Sequence, residues 1–446
     1  MVRRPPDWVR DAIFYQVFPD RFRRAGGGWP NGGSERTRER CGGDLEGIRE
    51  ALPYLGDLGV NALYLTPVFT ASSYHRYDTT DYHAVDPTLG GNAALRRLVD
   101  EVHHRGMRII LDGVFNHCGA GHPFFVDATA RGRASRYWGW FSIRGDRVET
   151  SPAPNYACWA GVPTMPEWNH GNPEARGYLL DVVRHWIAEY GIDGWRLDTT
   201  EYLPPDFVRS VDRTAKAACP EAYVVGEVMG LATPWFRHDA LDGVMHYQLW
   251  ERLVHFVAEE RWDAERFSAS VYSLWRSYTE AGNVGSMTLL GSHDKPRFLT
   301  LCGGDRRKLL LATAFLLCFP GAPAIYYGDE IGMEGGEDPD NRRCFPWDEQ
   351  AWDRELRTSV RRLVRLRTEL DVLRRGSVRW SHAHGRSLAF LREQGADRLL
   401  IALNADRTGP AAVALEPGGW VDLLTNARST HTVVVPPLGF ALLRRD

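Results

Sequence analysis

The sequence predicts an α/β protein: a (β/α)8 TIM barrel with a small domain inserted after strand 3 and a C-terminal antiparallel β domain. Three observations predict this fold. Strand-like and helix-like segments alternate over most of the 446 residues. Four of the strand-like segments end in polar side chains, as barrel strands do at an active face. After residue 373 the segments become short and alternate in polarity, which is typical of antiparallel strands.

Eight apolar runs supply the predicted barrel strands, and helical patterns lie between them. The strands are predicted at residues 12–18, 62–68, 108–114, 194–198, 222–228, 243–249, 286–292 and 322–328. The helices are predicted at 44–59, 92–105, 173–190, 306–319 and 355–373. Asn92 is a predicted N-cap, Gly106 ends the same helix, and Pro173 suits a first helical position.

Two stretches break the alternation. Residues 118–169 are aromatic-rich and lack helical periodicity, and a loop of that length is uncommon unless it is functional. We therefore expect residues 1–117 and 170–373 to form the barrel and 118–169 to form an inserted domain above its mouth. Short alternating segments at 387–391, 398–403 and 431–435 predict a C-terminal β-sandwich domain over 374–446.

Composition narrows the functional classes. The net charge of −3 argues against nucleic acid as a partner. No run of about 18 apolar residues predicts a membrane span, and Pro5, Pro6 and Asp7 interrupt any signal peptide. The seven cysteines are scattered without a CxxC pair, which favours reduced thiols over disulfides or zinc. These observations predict a soluble, cytoplasmic protein.

The four polar strand ends read DGVFNH (112–117), GWRLD (194–198), GEV (226–228) and GSHD (291–294). Parallel pairing would bring them to one face of the barrel. Asp198 and Glu227 end neighbouring strands, and glycoside hydrolysis with retention needs two carboxyl groups about 5–5.5 Å apart. The pattern therefore predicts a retaining glycosidase.

Individual residues suit this chemistry. Arg196 lies two residues before Asp198, on the same strand face, where a guanidinium would hold Asp198 ionised as a nucleophile. Glu227 follows Val224-Val225-Gly226, an apolar setting that would raise its pKa towards that of a general acid. His293 and Asp294 could bind vicinal hydroxyls and stabilise developing positive charge.

In this order and at these separations, the segments resemble the conserved regions of the α-amylase family, glycoside hydrolase family 13. The resemblance implies that Asp198 is the nucleophile, Glu227 the acid/base and Asp294 a third essential carboxylate. It implies that the reactive sugar is held by His117, Arg196, His293, Tyr77 and Asp78, the last two from the segment His75-Arg76-Tyr77-Asp78. Asp112 and Asn116 match positions of mostly structural role.

Within the family, the sequence is most similar to neopullulanases, cyclomaltodextrinases and maltogenic amylases. The similarity lies in PDWVRDAIFYQVFPDRF (6–22), MPEWN (165–169), GEVMGLATPWFRHDALDGVMHY (226–247), LLGSHDKPR (289–297) and DPDNRRCFPW (338–347). It implies action on α-1,4-linked maltooligosaccharides, cyclodextrins and pullulan. Arg297 and Trp168, inside two of these segments, are predicted to bind substrate. Trp168 also belongs to an aromatic group of which one or two members would stack on sugars: Trp138, Trp140, Phe141, Trp159 and Trp168.

Three departures from that group leave alternatives open. The barrel is predicted to begin near residue 8, without the N-terminal β-sandwich of that group. The oligomeric state is therefore left open between a monomer and a homodimer. Thr199-Thr200-Glu201-Tyr202 replaces a Val-Ala-Asn-Glu segment on the acceptor side, where Glu201 would contact sugar. This keeps an α-glucan or maltosyl transferase of the same mechanism as the alternative function.

Residues 23–40 lack calcium ligands, so no metal and no cofactor are expected. A calcium site at Asn116 is the minor alternative. A non-catalytic barrel is disfavoured because Asp198, Glu227 and Asp294 are all present.

Overall fold

The computed structural model describes residues 5–29, 39–237 and 240–446. The strands in these ranges are β1 Phe14–Val17, β2 Ala62–Leu65, β3 Phe69–Ala71, β4 Thr79–Val85, β5 Arg108–Gly113, β6 Gly194–Leu197, β7 Tyr223–Gly226, β8 Gly243–Val244, β9 Met287–Leu289, β10 Ala322–Tyr326, β11 Ser377–His384, β12 Ser387–Gln394, β13 Asp397–Asn404, β14 Ala411–Ala414, β15 Trp420–Asp422, β16 Arg428–Ser429, β17 Thr432–Val435 and β18 Gly439–Arg445.

The α-helices of the same ranges lie mainly between the barrel strands. They are α1 Asp7–Asp11, α2 Pro19–Phe22, α3 Leu45–Glu50, α4 Leu52–Leu58, α5 Gly91–His104, α6 Pro123–Arg131, α7 Pro173–Tyr190, α8 Pro205–Ala218, α9 Thr233–Arg237, α10 Tyr247–Leu253, α11 Ala264–Ser277, α12 Glu280–Gly285, α13 Phe298–Leu301, α14 Arg306–Cys318, α15 Arg354–Glu369 and α16 Asp371–Arg375.

Eight parallel strands form the barrel in the order β8-β7-β6-β5-β2-β1-β10-β9. The two ends of this sheet meet at a single bridge between Met245 and Met287, where the His246 N–H donates to the Met287 carbonyl at 2.8 Å. The strands are buried along their length, because side chains inside the barrel and helices outside cover both faces. The predicted fold class is confirmed.

Four local predictions differ from the structure. The predicted helix 355–373 is two helices, α15 and α16, on either side of Leu370. The predicted helix 44–59 is two helices, α3 and α4, because Pro53 cannot donate a hydrogen bond into the preceding turn. The predicted strand 243–249 pairs only over Gly243–Val244 and then enters α10. Asn92 does not cap α5, since its side chain bridges the backbone of Val85 and His83. The antiparallel pair β3–β4, after the second barrel strand, was not predicted.

The stretch 118–169 contains α6 and short 3-10 turns, and β-bridges tie it together instead of continuous strands. At the C-terminus a six-stranded sheet, β11-β12-β13-β18-β15-β16, lies with the pair β14–β17. A separate apolar cluster joins these two sheets, with residues such as Leu391, Val413 and Trp420. This packing supports the C-terminal β-sandwich domain, which stays a prediction.

The prediction that all cysteines are reduced is wrong for one pair, because Cys41 and Cys344 form a disulfide. They are 303 residues apart, in the segments that follow β1 and β10. These two strands are neighbours in the barrel, so folding brings the two cysteines together although they are far apart in the sequence. Disulfides are rare in the cytosol, so this bond argues against the predicted cytoplasmic location. That location stays a prediction.

The pairing gives a thiol count that can be measured. Unfolded without reductant, the protein should show five reactive thiols, Cys118, Cys158, Cys219, Cys302 and Cys318. After reduction it should show seven. Replacing both Cys41 and Cys344 with serine should lower the free energy of unfolding by roughly 2–4 kcal/mol, since a long closed loop is released. Seven thiols in unreduced protein would contradict the pairing.

Over the described ranges, no cluster of three or more His, Cys, Asp or Glu side chains is arranged to hold a metal ion. Within the same ranges, no helix combines the length and apolar character needed to cross a bilayer. Part of the segment 23–40, for which no calcium ligands are predicted, lies outside the described residues, at 30–38.

Candidate active site

The four polar strand ends come together at the carboxyl end of the barrel. They surround a cavity of about 390 Å³. The cavity is lined by His75, Tyr77, His117, Trp159, Met165, Asp198, Thr199, Glu201, Tyr202, Glu227, Met229, Asp294, Asp338 and Arg342. Its volume falls near the lower end of the range for small-molecule sites.

Arg196 is the centre of the charged cluster and is fully buried. One terminal nitrogen donates to Asp112 Oδ1 and to Asp198 Oδ1, both at 2.8 Å. The other lies 2.9 Å from Glu227 Oε1 and 3.6 Å from Asp294 Oδ2. Because Arg196 and Asp198 are two residues apart at the end of one strand, their side chains point to the same face. The guanidinium therefore gathers carboxyl groups from four strand ends.

Besides this ion pair, Glu227 accepts a hydrogen bond from the Thr199 N–H at 2.7 Å. Thr199 has φ +42°, a left-handed conformation that is strained for a β-branched residue. This turn follows Asp198 directly and aims its N–H at the neighbouring strand end. The segments after β6 and β7 are thus held in a fixed mutual position.

Burial raises the pKa of three carboxyl groups in the cluster. The pKa of Glu227 rises to about 7 because the side chain is buried, with Arg196 opposing the shift. Burial also raises the pKa of Asp112 to about 6 and that of Asp198 above its usual range, again against Arg196. The expectation that Arg196 holds the pKa of Asp198 low is therefore not met, because burial outweighs the guanidinium. One guanidinium cannot balance several buried carboxylates, so the cluster retains a proton near neutral pH.

Tyr77 lines the cavity, whereas His293, predicted to bind sugar, is fully buried against Tyr77 and is not among the lining residues. Their rings stack with centroids 5.4 Å apart. The Tyr77 hydroxyl contacts His293 Nε2 and donates to Asp112 Oδ2 at 2.9 Å, while Gln16 Nε2 lies 2.7 Å from His293 Nδ1. Burial, together with the charge of Arg196, lowers the pKa of His293 well below its usual value. The imidazole is therefore neutral at physiological pH.

His117 reaches the cavity from the segment after β5 and is buried. Burial lowers the pKa of His117 to about 4, so this ring is also neutral. Neither of its ring nitrogens makes a hydrogen bond of ordinary geometry with the described residues. A buried imidazole of this kind is suited to a hydroxyl of a bound sugar.

Two predicted substrate contacts are corrected by the structure. Arg297 is fully buried, and its guanidinium donates to Asp329 and to the Tyr327 and Asn341 carbonyls, beneath the cavity. Trp168 is also buried, stacked on Phe141 in the aromatic core of the inserted stretch. Both sequence segments suggested sugar contact, but folding turns these side chains inward.

Asp78 and Glu201 make contacts that the sequence did not predict. The Asp78 carboxylate accepts bonds from the Ser73 N–H and hydroxyl, and Asp78 is not among the residues lining the cavity. Glu201 does line the cavity, but its carboxylate bonds backbone N–H groups of the neighbouring loop.

Sequence reasoning missed several residues of the cavity wall. Arg342 donates to the His293 carbonyl at 2.8 Å and lies 3.5 Å from Asp294 Oδ1. Asp338 and Arg342 both come from DPDNRRCFPW, a segment noted for its resemblance but given no role. Tyr202 lines the cavity with a side chain that is 71% exposed. Among the aromatic residues of the inserted stretch, Trp159 and not Trp168 reaches the cavity.

Fold and site together define a glycoside hydrolase built on a (β/α)8 barrel. Residues 16–387 match the family described as Alpha amylase, catalytic domain. The chain belongs to the α-amylase family, and it is a glycosidase that hydrolyses α-glucosidic bonds.

Individual relatives are similar over most of the chain. A cyclomaltodextrinase of Geobacillus thermopakistaniensis is 43% identical over 456 residues, covering 98% of this chain and 77% of the relative. Neopullulanase 2 of Thermoactinomyces vulgaris is 42% identical over 436 residues, covering 94% and 74%. The ligand-free structure of the cyclic α-maltosyl-(1→6)-maltose hydrolase from Arthrobacter globiformis superimposes with a TM-score of 0.91, at 37% identity, covering 99% of both chains.

Proposed function

We propose that the enzyme hydrolyses α-1,4 bonds in short maltooligosaccharides and small cyclic α-glucans, with Asp198 as nucleophile and Glu227 as acid/base. The observation that carries the proposal is the sharing of one buried guanidinium by these two carboxyl groups. Each lies within 3 Å of a terminal nitrogen of Arg196, so the guanidinium holds the two carboxyl groups near one another. Retaining glycosidases need their two carboxyl groups at such close range.

The reaction would proceed in two displacements. Glu227 gives its proton to the glycosidic oxygen while Asp198 Oδ attacks the anomeric carbon, so the C–O bond to the leaving sugar breaks as an ester bond to Asp198 forms. Glu227, now ionised, removes a proton from water, and the water oxygen displaces Asp198. Two inversions return the α-anomer.

The remaining cavity residues would hold the reacting sugar. Asp294, which lies beside His293 and Arg342, would accept hydrogen bonds from sugar hydroxyls and stabilise the developing positive charge. The neutral imidazole of His117 would bind a further hydroxyl, while His293, whose two ring nitrogens contact Gln16 and Tyr77, would hold Tyr77 in place. Tyr77, stacked on His293, would form the floor beneath the sugar ring.

The volume of the cavity supports short substrates. A space of about 390 Å³ suits a short segment of an oligosaccharide better than a long groove along a polymer. Relatives named for cyclomaltodextrins and for cyclic α-maltosyl-(1→6)-maltose support small cyclic glucans as substrates, including one with α-1,6 bonds.

A product time course tests the proposal. Purified enzyme is incubated with maltotriose, maltoheptaose, β-cyclodextrin, cyclic α-maltosyl-(1→6)-maltose, pullulan and starch at equal bond concentrations. We expect faster cleavage of the small linear and cyclic substrates than of starch, and an α-anomer as first product by NMR. A first-formed β-anomer would refute the two-step mechanism. Products longer than the substrate as the main outcome would indicate transfer instead of hydrolysis.

A further inference from the structure

The carboxylate of Glu201 joins the two segments that carry Asp198 and Glu227. Glu201 lies in the 3-10 turn Thr200–Tyr202, three residues after Asp198. Its Oε2 accepts the Met229 N–H at 2.9 Å, and its Oε1 accepts the Gly230 N–H at 3.1 Å. These are consecutive peptide groups of the loop that begins at Glu227. Hydrogen bonds to an ionised acceptor are stronger than neutral ones.

The loop is shaped to receive this carboxylate. A Cβ atom at Gly230 would lie 2.9 Å from Glu201 Oε1, so a larger residue at this position would require the carboxylate to shift. On its other side, the Met229 carbonyl accepts a bond from Gln248 Nε2 at 2.9 Å. The loop after Glu227 is therefore held from both sides.

The turn that presents Glu201 is itself anchored. The Thr200 hydroxyl donates to the Leu197 carbonyl at 2.8 Å. The Thr199 N–H donates to Glu227 Oε2 at 2.7 Å. Together with the two bonds from Glu201, three hydrogen bonds link the segment after β6 to the segment after β7. Asp198 and Glu227 stand at the start of these linked segments.

We infer that Glu201 is a positioning residue for Glu227, acting through the loop Val228–Gly230, and that its main role is not sugar binding. The inference rests on the proposed acid/base role of Glu227. Both carboxylate oxygens of Glu201 already accept peptide N–H groups. A general acid must lie within hydrogen-bond reach of the glycosidic oxygen, and a misplacement of about 1 Å can cost about 100-fold in rate. A loosened loop would produce such a misplacement.

The test separates turnover from binding. Glu201→Ala is expected to lower kcat on maltotriose about 10–100-fold, with an unchanged melting temperature. Glu201→Gln, whose amide oxygen can still accept one of the two N–H groups, should recover part of that loss. Glu189→Ala, an exposed glutamate on α7, is the matched control and should keep wild-type kinetics.

Binding is measured in an inactive background. Calorimetry with maltoheptaose compares Asp198→Asn with the double variant Asp198→Asn/Glu201→Ala, and we expect the two dissociation constants to agree within about twofold. The inference is overturned if affinity falls as much as kcat/KM falls in the single variant, because that pattern indicates uniform sugar binding. It is also overturned if kcat is unchanged. Should Asp198→Asn itself remain active, the proposed mechanism fails before Glu201 is tested, so the two failures are distinguishable.

Discussion

Asp198→Asn is expected to lower kcat on maltotriose by at least about 10⁴-fold while maltotriose still binds. An amide has nearly the volume of the carboxylate and can still accept the bond from Arg196 Nη1 that Asp198 Oδ1 accepts at 2.8 Å. It cannot form the ester to the anomeric carbon, and loss of a covalent nucleophile can cost up to about 10⁶-fold. Initial rates by product chromatography and calorimetric binding of maltotriose give the two numbers.

The control for this variant is Asp206→Asn. Asp206 lies at the surface in an ion pair with Arg176, so the same chemical change there should leave kcat within about twofold. If Asp198→Asn retained a tenth or more of wild-type kcat, Asp198 would not be the nucleophile. Loss of both binding and turnover, with a lowered melting temperature, would point to a collapsed site.

Glu227→Gln should lower kcat on maltooligosaccharides by about 10²–10⁴-fold, the usual contribution of a positioned acid/base. The loss should be far smaller for kcat/KM on α-maltosyl fluoride, because fluoride leaves without protonation. The wild-type pH profile gives a second measure. Burial raises the pKa of Glu227 to about 7, so the side chain is protonated below that pH. We expect kcat/KM to fall as the pH rises through about 7.

Wild-type kcat/KM for α-maltosyl fluoride supplies the internal control, since it should not fall on the basic side near pH 7. Equal losses for both substrates in Glu227→Gln would contradict the acid role. A basic limb that is unchanged in the variant would assign that ionisation to another group of the cluster, such as Asp112, whose pKa burial raises to about 6.

The barrel and the position of its site could be predicted because both depend on local patterns. Each of the four motifs ends an apolar strand. Parallel strands put their carboxyl ends on one face of the barrel, whatever the exact bounds of the helices between them. The spacing of Arg196 and Asp198 fixes a shared face by backbone geometry alone. Those inferences need no knowledge of distant contacts.

The errors arise where distant parts of the chain decide the outcome. Trp168 and Arg297 lie in suggestive segments, but the direction of each side chain depends on partners such as Phe141 and Asp329. The Cys41–Cys344 pairing spans 303 residues and has no local signal. Glu201 was expected to face sugar, and only the path of the next loop shows that backbone N–H groups meet its carboxylate first.

The ring of barrel strands is unevenly paired, and this matters for engineering. β1 pairs with β2 over four residues and with β10 over three, close to the disulfide. By contrast, β7 and β8 pair over two residues, and one bridge from Met245 to Met287 joins the sheet ends. Local opening is easiest where a ladder has fewest bonds. Amide hydrogen exchange should therefore be fastest along this arc, and mutations meant to raise heat resistance would gain most there.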